Sequence, residues 1–161
     1  MKKPLLHSLV AIGLSLVPCF GLETAEKERA SEFLVGAATA DVTPKNGVSM
    51  DGAISKPGPA KGVHDPLNAR AIVMKSGGTT IALAIVDMCM IEKTVYDKAK
   101  EIVQETVGIP PSRVLAAATH SHATPRAIHI GRGPLDDAYH VWLSKQIAAA
   151  IIRAHGNLAP A

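Results

Sequence analysis

Residues 80–118 read TIALAIVDMCMIEKTVYDKAKEIVQETVGIPPSRVLAAA, and the hydrophobic period changes twice along this segment. The nearly continuous apolar run 80–87 predicts a strand that is buried on both faces. Residues 94–107 follow helical spacing, and Gly108 ends the predicted helix. The short apolar run 113–118 predicts a second strand. Strand, helix and strand form a βαβ unit, so the two strands should be parallel with a right-handed crossover.

The flanking sequence extends this unit into a larger sheet. Residues 33–43 predict a strand that stops at a proline, and residues 69–75 predict another. The pair Gly77-Gly78 then supplies a tight hairpin into the strand at residue 80. A final helix is expected from about residue 136 to residue 155. The predicted fold class is therefore α/β, with a mixed sheet that contains the βαβ unit.

The first 22 residues have the form of a secretory signal peptide. A cationic start, MKKPLLHS, precedes about fourteen mostly apolar residues, which is shorter than the ~20 that a membrane span requires. We therefore expect residues 1–22 to be removed and the protein to be secreted or periplasmic. Lipid attachment at Cys19 is the alternative. Residues 23–32 form a charged segment that we expect to be flexible, and residues 33–161 form the folded part of the chain.

Charge and cysteine content exclude two classes of protein. The net charge is +3, and it falls to +1 without Lys2 and Lys3 of the leader, so the basic patch of a nucleic-acid-binding protein is not expected. Without the leader Cys89 is the one remaining cysteine, which excludes a disulfide framework. Its apolar neighbours indicate a small buried hydrophobe rather than a nucleophile.

The candidate site follows the strand at 113–118, in the sequence Thr119-His120-Ser121-His122. Ligands of open α/β sheets bind outside the carboxyl ends of the strands, and Asp87 ends the neighbouring strand. If the strand conformation persists, His120 and His122 point to one face with Cα atoms roughly 6.6 Å apart. Such a pair suits a zinc site. The alternative is a polar loop whose histidines contact only water.

Two further residues are predicted to bind substrate at the same edge. Asp87 shares the edge with the imidazoles, and His64 precedes the strand at 69–75. The alternative is that His64 lies in an ordinary loop leading into the strand, in which Asp65-Pro66 forms a turn. Arg126, His129 and Arg132, in the loop after the histidine pair, are candidates for anion binding or for ordinary surface positions.

Four segments together resemble the neutral/alkaline ceramidase family, in the amino-terminal part of its catalytic domain. They read FLVGAATADVTP, GVHDPLNARAIVM, IALAIVDMCMI and RVLAAATHSHATP, in this order along the chain. The resemblance covers roughly residues 33–161. It implies a zinc-dependent amidohydrolase that cleaves N-acylsphingosine (ceramide), at a membrane surface, into a sphingoid base and a fatty acid.

The same resemblance assigns roles to the two histidines. His120 would be a zinc ligand, and His122 would be the catalytic residue beside it, holding the substrate or the transition state. The family's Ser-Gly after the second histidine is Ala123-Thr124 here. The remaining ligands of the family, a further His, a Glu and a Tyr, have no counterpart in this sequence. The chain therefore looks like an incomplete portion of a larger catalytic domain, and we expect little activity from it alone.

Two other functions remain compatible with the sequence. One keeps the fold and the zinc but changes the substrate to another amide or an ester. The other is a secreted fragment without activity that at most binds metal weakly. The sequence does not indicate an oligomeric state.

Overall fold

A computed structural model describes residues 32–50, 58–125, 127–128 and 137–161. The predicted signal peptide, most of the charged segment, and Arg126, His129 and Arg132 lie outside these residues. The described elements are five strands, β1 (Phe33–Asp41), β2 (Asn68–Ser76), β3 (Thr79–Val86), β4 (Val114–Ala118) and β5 (Ala159–Pro160), two α-helices, α1 (Lys93–Val107) and α2 (Asp137–Gly156), and a short 3-10 helix (Pro111–Arg113).

The strands form one mixed sheet in the order β4-β3-β2-β1-β5. β3 and β4 are parallel and joined through α1, which confirms the predicted βαβ unit. β2 and β3 form the predicted antiparallel hairpin, with Ser76 opposite Thr79 across the glycine pair. Gly77 has a φ of 54°, a left-handed conformation that glycine adopts without a steric penalty.

Both helices contribute to one apolar core with the sheet. α2 packs across β1, β2 and β3, and α1 packs beside α2. The sheet positions that face this core are mainly small. They include Ala40, Ala69, Ala71, Ala82 and Ala84, all at most 3% exposed. Small side chains let α2 lie close to the sheet, so the alanine-rich composition of the strands determines the spacing of the two layers.

The prediction that residues 80–87 are buried on both faces is wrong for this chain. Burial in β3 alternates, with Ala82, Ala84 and Val86 in the core but Ile81 and Ile85 about 40% exposed. The reason is that the helices pack on one face of the sheet, while the described residues leave the opposite face open. The apolar run therefore reflects one buried face and one apolar but exposed face.

The end of the chain adds a strand that the sequence did not predict. β5 pairs antiparallel with β1, opposite Leu34 and Val35. α2 delivers the chain there, and Asn157 Nδ2 donates a hydrogen bond to the carbonyl of Ala37 (3.0 Å). No helix among the described residues is long and apolar enough to cross a membrane.

Candidate metal centre at the carboxyl edge of the sheet

The loops that follow β3 and β4 lie side by side. Val86 is opposite Ala118 at the ends of the two parallel strands, so Asp87 and the histidine pair share one edge of the sheet, as predicted. The pairing continues past the strands: the amide of Thr119 donates to the carbonyl of Val86 (2.9 Å), and that of Ser121 donates to Met88 (3.2 Å). Backbone hydrogen bonds therefore fix the position of the second loop against the first.

The histidine pair is not presented by a continuing strand, which corrects the expected geometry. β4 ends at Ala118, and His120 has a φ of 64°, the one positive φ of a non-glycine residue in the described part of the chain. The resulting turn nevertheless brings the two imidazoles together. The ring centroids of His120 and His122 are 4.8 Å apart, with planes inclined by 71°. Unusual backbone conformations of this kind cluster at functional sites.

Cys89 lies at the base of this pair, which the sequence analysis missed. Its Sγ is 3.8 Å from Nδ1 of His120, and that nitrogen is also 3.1 Å from the carbonyl oxygen of Cys89. Cys89 is buried as predicted, but it also faces the site. The signal available in the sequence was its position two residues beyond Asp87, in the loop that follows the neighbouring strand.

Thr124 fastens the two loops to each other. Its hydroxyl oxygen accepts a hydrogen bond from the amide of Cys89 (3.0 Å) and donates one to the carbonyl of Ser121 (2.8 Å). Its side chain is fully buried. Thr124, one of the two residues that differ from the motif resembled, thus links the loop of Cys89 to the histidine loop.

The carboxylate of Asp87, a predicted substrate-binding group, forms its hydrogen bonds with residues of β2. Both of its oxygens lie 2.7 Å from Arg70 Nη1, and Oδ2 also accepts a hydrogen bond from the amide of Asn68 (3.0 Å). Arg70 and Asn68 belong to β2, so this ion pair joins the ends of β2 and β3 just beside the cluster.

His64, the other predicted substrate-binding residue, lies on the wall of a cavity next to the cluster. The cavity has a volume of about 380 Å³, and its lining includes His64, Met50, Leu67, Ser121 and Ala123. The imidazole of His64 is exposed, and its Nδ1 lies 2.8 Å from Asp65 Oδ2. His64 therefore shares a cavity with the histidine loop.

A larger cavity of about 630 Å³ shares Thr43 with this one. Its lining includes Thr43, Lys45 and Val48 from the loop after β1, and Tyr139 and Trp142 from α2. The hydroxyl of Tyr139 donates to the carbonyl of Val42 (2.8 Å), so this tyrosine serves the packing of α2. Neither cavity is lined by Cys89, His120 or His122, but the smaller one is lined by Ser121 and Ala123 of the histidine loop. The cavity that adjoins the histidine loop is therefore the smaller of the two.

The donor set at the sheet edge fits a divalent metal of borderline softness. Donor atoms of Cys89, His120 and His122 all lie within 4.8 Å of one another. Imidazole nitrogen and thiolate sulfur are ligands that zinc accepts readily, whereas magnesium and calcium prefer oxygen. Both histidines are exposed and Cys89 is buried, so the cluster opens towards solvent on the side of the imidazoles.

The fold is similar to that of solved ceramidase structures. The crystal structure of neutral ceramidase from Pseudomonas aeruginosa matches 81% of this chain with a TM-score of 0.67 and 21% sequence identity. A ceramidase complexed with C2 matches 81% of the chain with a TM-score of 0.68 and 21% identity. The chain spans 22% of the length of each. The predicted resemblance is thus confirmed at the level of the fold, over a part of the larger protein.

Comparison of the sequence itself gives no match. No protein-family model matches the chain, and no curated protein matches it. The similarity to the ceramidases is therefore a similarity of fold.

Proposed function

We propose that this chain is part of a secreted, zinc-dependent amidohydrolase that cleaves N-acylsphingosine into a sphingoid base and a fatty acid. The observation that carries the proposal is the cluster of Cys89, His120 and His122 at the carboxyl edge of a ceramidase-like sheet. Strand ends of this type are where α/β proteins bind their ligands. The solved structures to which this fold is similar include two ceramidases.

His120 is the proposed metal ligand, and His122 is the proposed catalytic residue. A bound zinc ion would polarise the amide carbonyl and lower the pKa of a coordinated water. His122 packs against the ring of His120, so it would lie beside the reacting amide and could hydrogen-bond the oxygen on which charge develops. The hydroxyl of Thr124 links the amide of Cys89 to the carbonyl of Ser121, the residue between the two histidines.

The adjacent cavity is the proposed entry for the substrate. Met50, Val63 and Leu67 give it an apolar wall, and His64, Asp65 and Ser121 add polar groups. A cavity that combines these two surfaces suits a lipid with a polar amide head. Ceramide resides in membranes, so the protein would act at a membrane surface.

Asp87 is proposed to act on the substrate only indirectly. Its carboxylate binds Arg70 and the amide of Asn68, which leaves it little capacity for a further partner. It would therefore position the loop that carries Cys89 rather than contact the lipid.

The complete catalytic site would include residues from beyond this chain, because the chain spans 22% of the matched ceramidases. A catalytic zinc site requires three protein ligands and an open position. We therefore expect residues 23–161 alone to show little amidase activity. Export is part of the proposal as well: mass spectrometry of secreted material should show that Met1 to about Gly21 has been removed.

The test is hydrolysis of a fluorescent N-acylsphingosine by the protein that contains this chain, loaded with zinc. Activity that is lost on chelation, restored by zinc and absent in His120→Ala supports the proposal. A fluorescent ester and a short N-acyl amide serve as competing substrates. A preference for either would show that the substrate belongs to that class and is not ceramide. A zinc-loaded protein that cleaves none of the three would overturn the proposal and leave a metal-binding fragment.

A further inference from the structure

The buried thiol of Cys89 is directed at the imidazole of His120. Its Sγ lies 3.8 Å from Nδ1, and Cys89 is 4% exposed. No disulfide involves this residue, which is a free cysteine. A thiol in this position has two possible uses: it fills space in the loop, or it provides a ligand atom.

The separation of the two atoms matches that of neighbouring ligands around one metal ion. With zinc–sulfur and zinc–nitrogen bonds of about 2.3 and 2.0–2.1 Å, tetrahedral geometry places sulfur and nitrogen about 3.6 Å apart. The observed 3.8 Å requires a movement of only a few tenths of an ångström. The loops are already held together by backbone hydrogen bonds and by Thr124, so a metal would meet a preformed pair of donors.

We propose that Cys89 is a thiolate ligand of the metal, paired with Nδ1 of His120. This inference rests on the proposed function and deepens it, because the ligand set that the family resemblance implies contains no sulfur. On binding, the thiol proton leaves to solvent and the sulfur lone pair forms the bond to the metal. A sulfur–nitrogen pair selects zinc, cobalt and cadmium over magnesium and calcium.

A competing arrangement uses the same ring nitrogen differently. Nδ1 also lies 3.1 Å from the carbonyl oxygen of Cys89, to which a protonated Nδ1 would donate a hydrogen bond. That tautomer would leave Nε2 for the metal and the thiol without a role in binding. The two arrangements differ in one observable property, which is whether sulfur is bonded to the metal.

The experiment is cobalt titration of the full chain carrying Cys19→Ser, so that Cys89 is its only thiol. We expect a near-ultraviolet sulfur-to-cobalt charge-transfer band that saturates with cobalt, together with the visible bands of bound cobalt. Cys89→Ser and Cys89→Ala in the same background should lose the charge-transfer band. Their zinc affinity, measured by competition with cobalt, should fall at least about 10-fold.

The outcomes separate this inference from the proposed function. Visible cobalt bands without the charge-transfer band would show that Cys89 does not bind the metal. This result would not contradict the proposed function, which the ceramide assay tests. No cobalt binding at all would also overturn the thiolate ligand, and the ceramide assay then judges the proposed function independently. Circular dichroism melting curves verify that the Cys89 variants fold. If they do not, the spectrum of the Cys19→Ser protein alone gives the answer.

Discussion

His120 illustrates how a single backbone angle presents a functional side chain. A φ of 64° is rare for a residue with a Cβ atom and costs of the order of 1–3 kcal/mol. The hydrogen bonds of Thr119 and Ser121 to the preceding loop hold the residue there. The result is that the imidazole turns back onto Cys89 instead of following the alternation of β4.

The backbone angle also provides a matched variant for testing the role of the imidazole. His120→Asn keeps a residue that tolerates the left-handed conformation, so we expect it to melt at a temperature equal to or above that of His120→Ala. Both variants should lose zinc, because each removes the ligand.

His122→Ala supplies the contrast. It should retain most of the zinc but lower turnover by about 10–100-fold, since this imidazole acts beside the metal. The measurement is zinc per protein molecule together with the rate on a fluorescent ceramide, in the protein that contains this chain. Equal loss of zinc in His120→Asn and His122→Ala would show that both are ligands and that the division of roles is wrong.

Thr124 tests whether the two loops need their clamp. Thr124→Val preserves the shape of the side chain but removes the hydroxyl, so the amide of Cys89 loses its acceptor inside the protein. An unsatisfied buried amide costs about 1–3 kcal/mol, and the free energy of unfolding should fall by that amount. Metal affinity should fall too, because the loops separate.

Thr124→Ser is the control, because it keeps the hydroxyl. Urea denaturation gives the unfolding free energy, and cobalt titration gives the affinity. If the valine and serine variants were equally stable and bound cobalt equally well, the hydrogen bonds of this hydroxyl would have no measurable part in the site.

At the scale of elements, the contact between α2 and β1 depends on Gly36. A Cβ at this position would lie 2.1 Å from the carbonyl oxygen of Ala154 and 2.8 Å from backbone atoms of Asn157 and Leu158. Backbone cannot rotate away as a side chain does. We expect Gly36→Ala to destabilise the fold by about 1–3 kcal/mol or more, measured by urea denaturation.

Gly78→Ala is the matched control for this substitution. An added Cβ there meets nothing within 4 Å, and its φ is not in the left-handed region. Its stability should stay within about 0.5 kcal/mol of the unsubstituted protein. If Gly36→Ala were as harmless as Gly78→Ala, α2 would not lie as close to β1 as the structure has it.

The burial of Tyr96 on α1 gives a prediction for alkaline pH. Desolvation raises the pKa of its phenol to about 12, against a value near 10 in the unfolded chain. The folded state therefore binds this proton more tightly. Its contribution to stability is complete below pH ~10 and is lost as the pH rises through about 12.

Tyr96→Phe isolates that contribution, because phenylalanine has no proton to lose. The difference in unfolding free energy between the two proteins should be constant up to pH ~10 and shift in favour of Tyr96→Phe between pH ~10 and ~12. Other groups that titrate there, such as lysines, cancel in the comparison. A difference that stays flat to pH ~12 would contradict the raised pKa.

At the scale of the whole molecule, the described residues leave one face of the sheet apolar and exposed. Its large exposed side chains are Phe33, Ile72, Ile81, Ile85 and Leu115. The strand register places them on the same face, with Ile72 opposite Leu83 and Leu83 opposite Leu115. Contiguous apolar surface of this kind promotes association and aggregation.

The two faces of β2 can be compared directly by adjacent substitutions. Ile72 is 48% exposed, whereas the neighbouring Val73 is fully buried. Ile72→Thr should reduce the binding of an apolar fluorescent dye and lower aggregation, with little change in melting temperature, since threonine keeps the β-branch. Val73→Thr should instead destabilise the protein clearly, because it puts a hydroxyl into the core. Equal destabilisation by both would mean that the open face is covered in solution.

The sequence by itself determined the local elements and their arrangement along the chain. The helical spacing of residues 94–107, the Gly77-Gly78 hairpin and the two apolar runs were sufficient to predict the βαβ unit within a mixed sheet. Parallel strands must present their carboxyl ends at one edge, so the placement of Asp87 and the histidine loop at the same edge followed as well. These features depend on residues near one another in sequence, whose periodicity is visible without coordinates.

Only the tertiary structure determined which side chains complete the site and which face of the sheet is covered. Cys89 and His120 are 31 residues apart, and Cys89 and Thr124 are 35 apart, so their contacts depend on how two loops pack. The left-handed conformation at His120 could not be predicted from the sequence, because no glycine occupies that position. An apolar strand can have the same sequence whether one face or both are buried. The sequence shows how apolar each side chain is, but not which other residues pack against it.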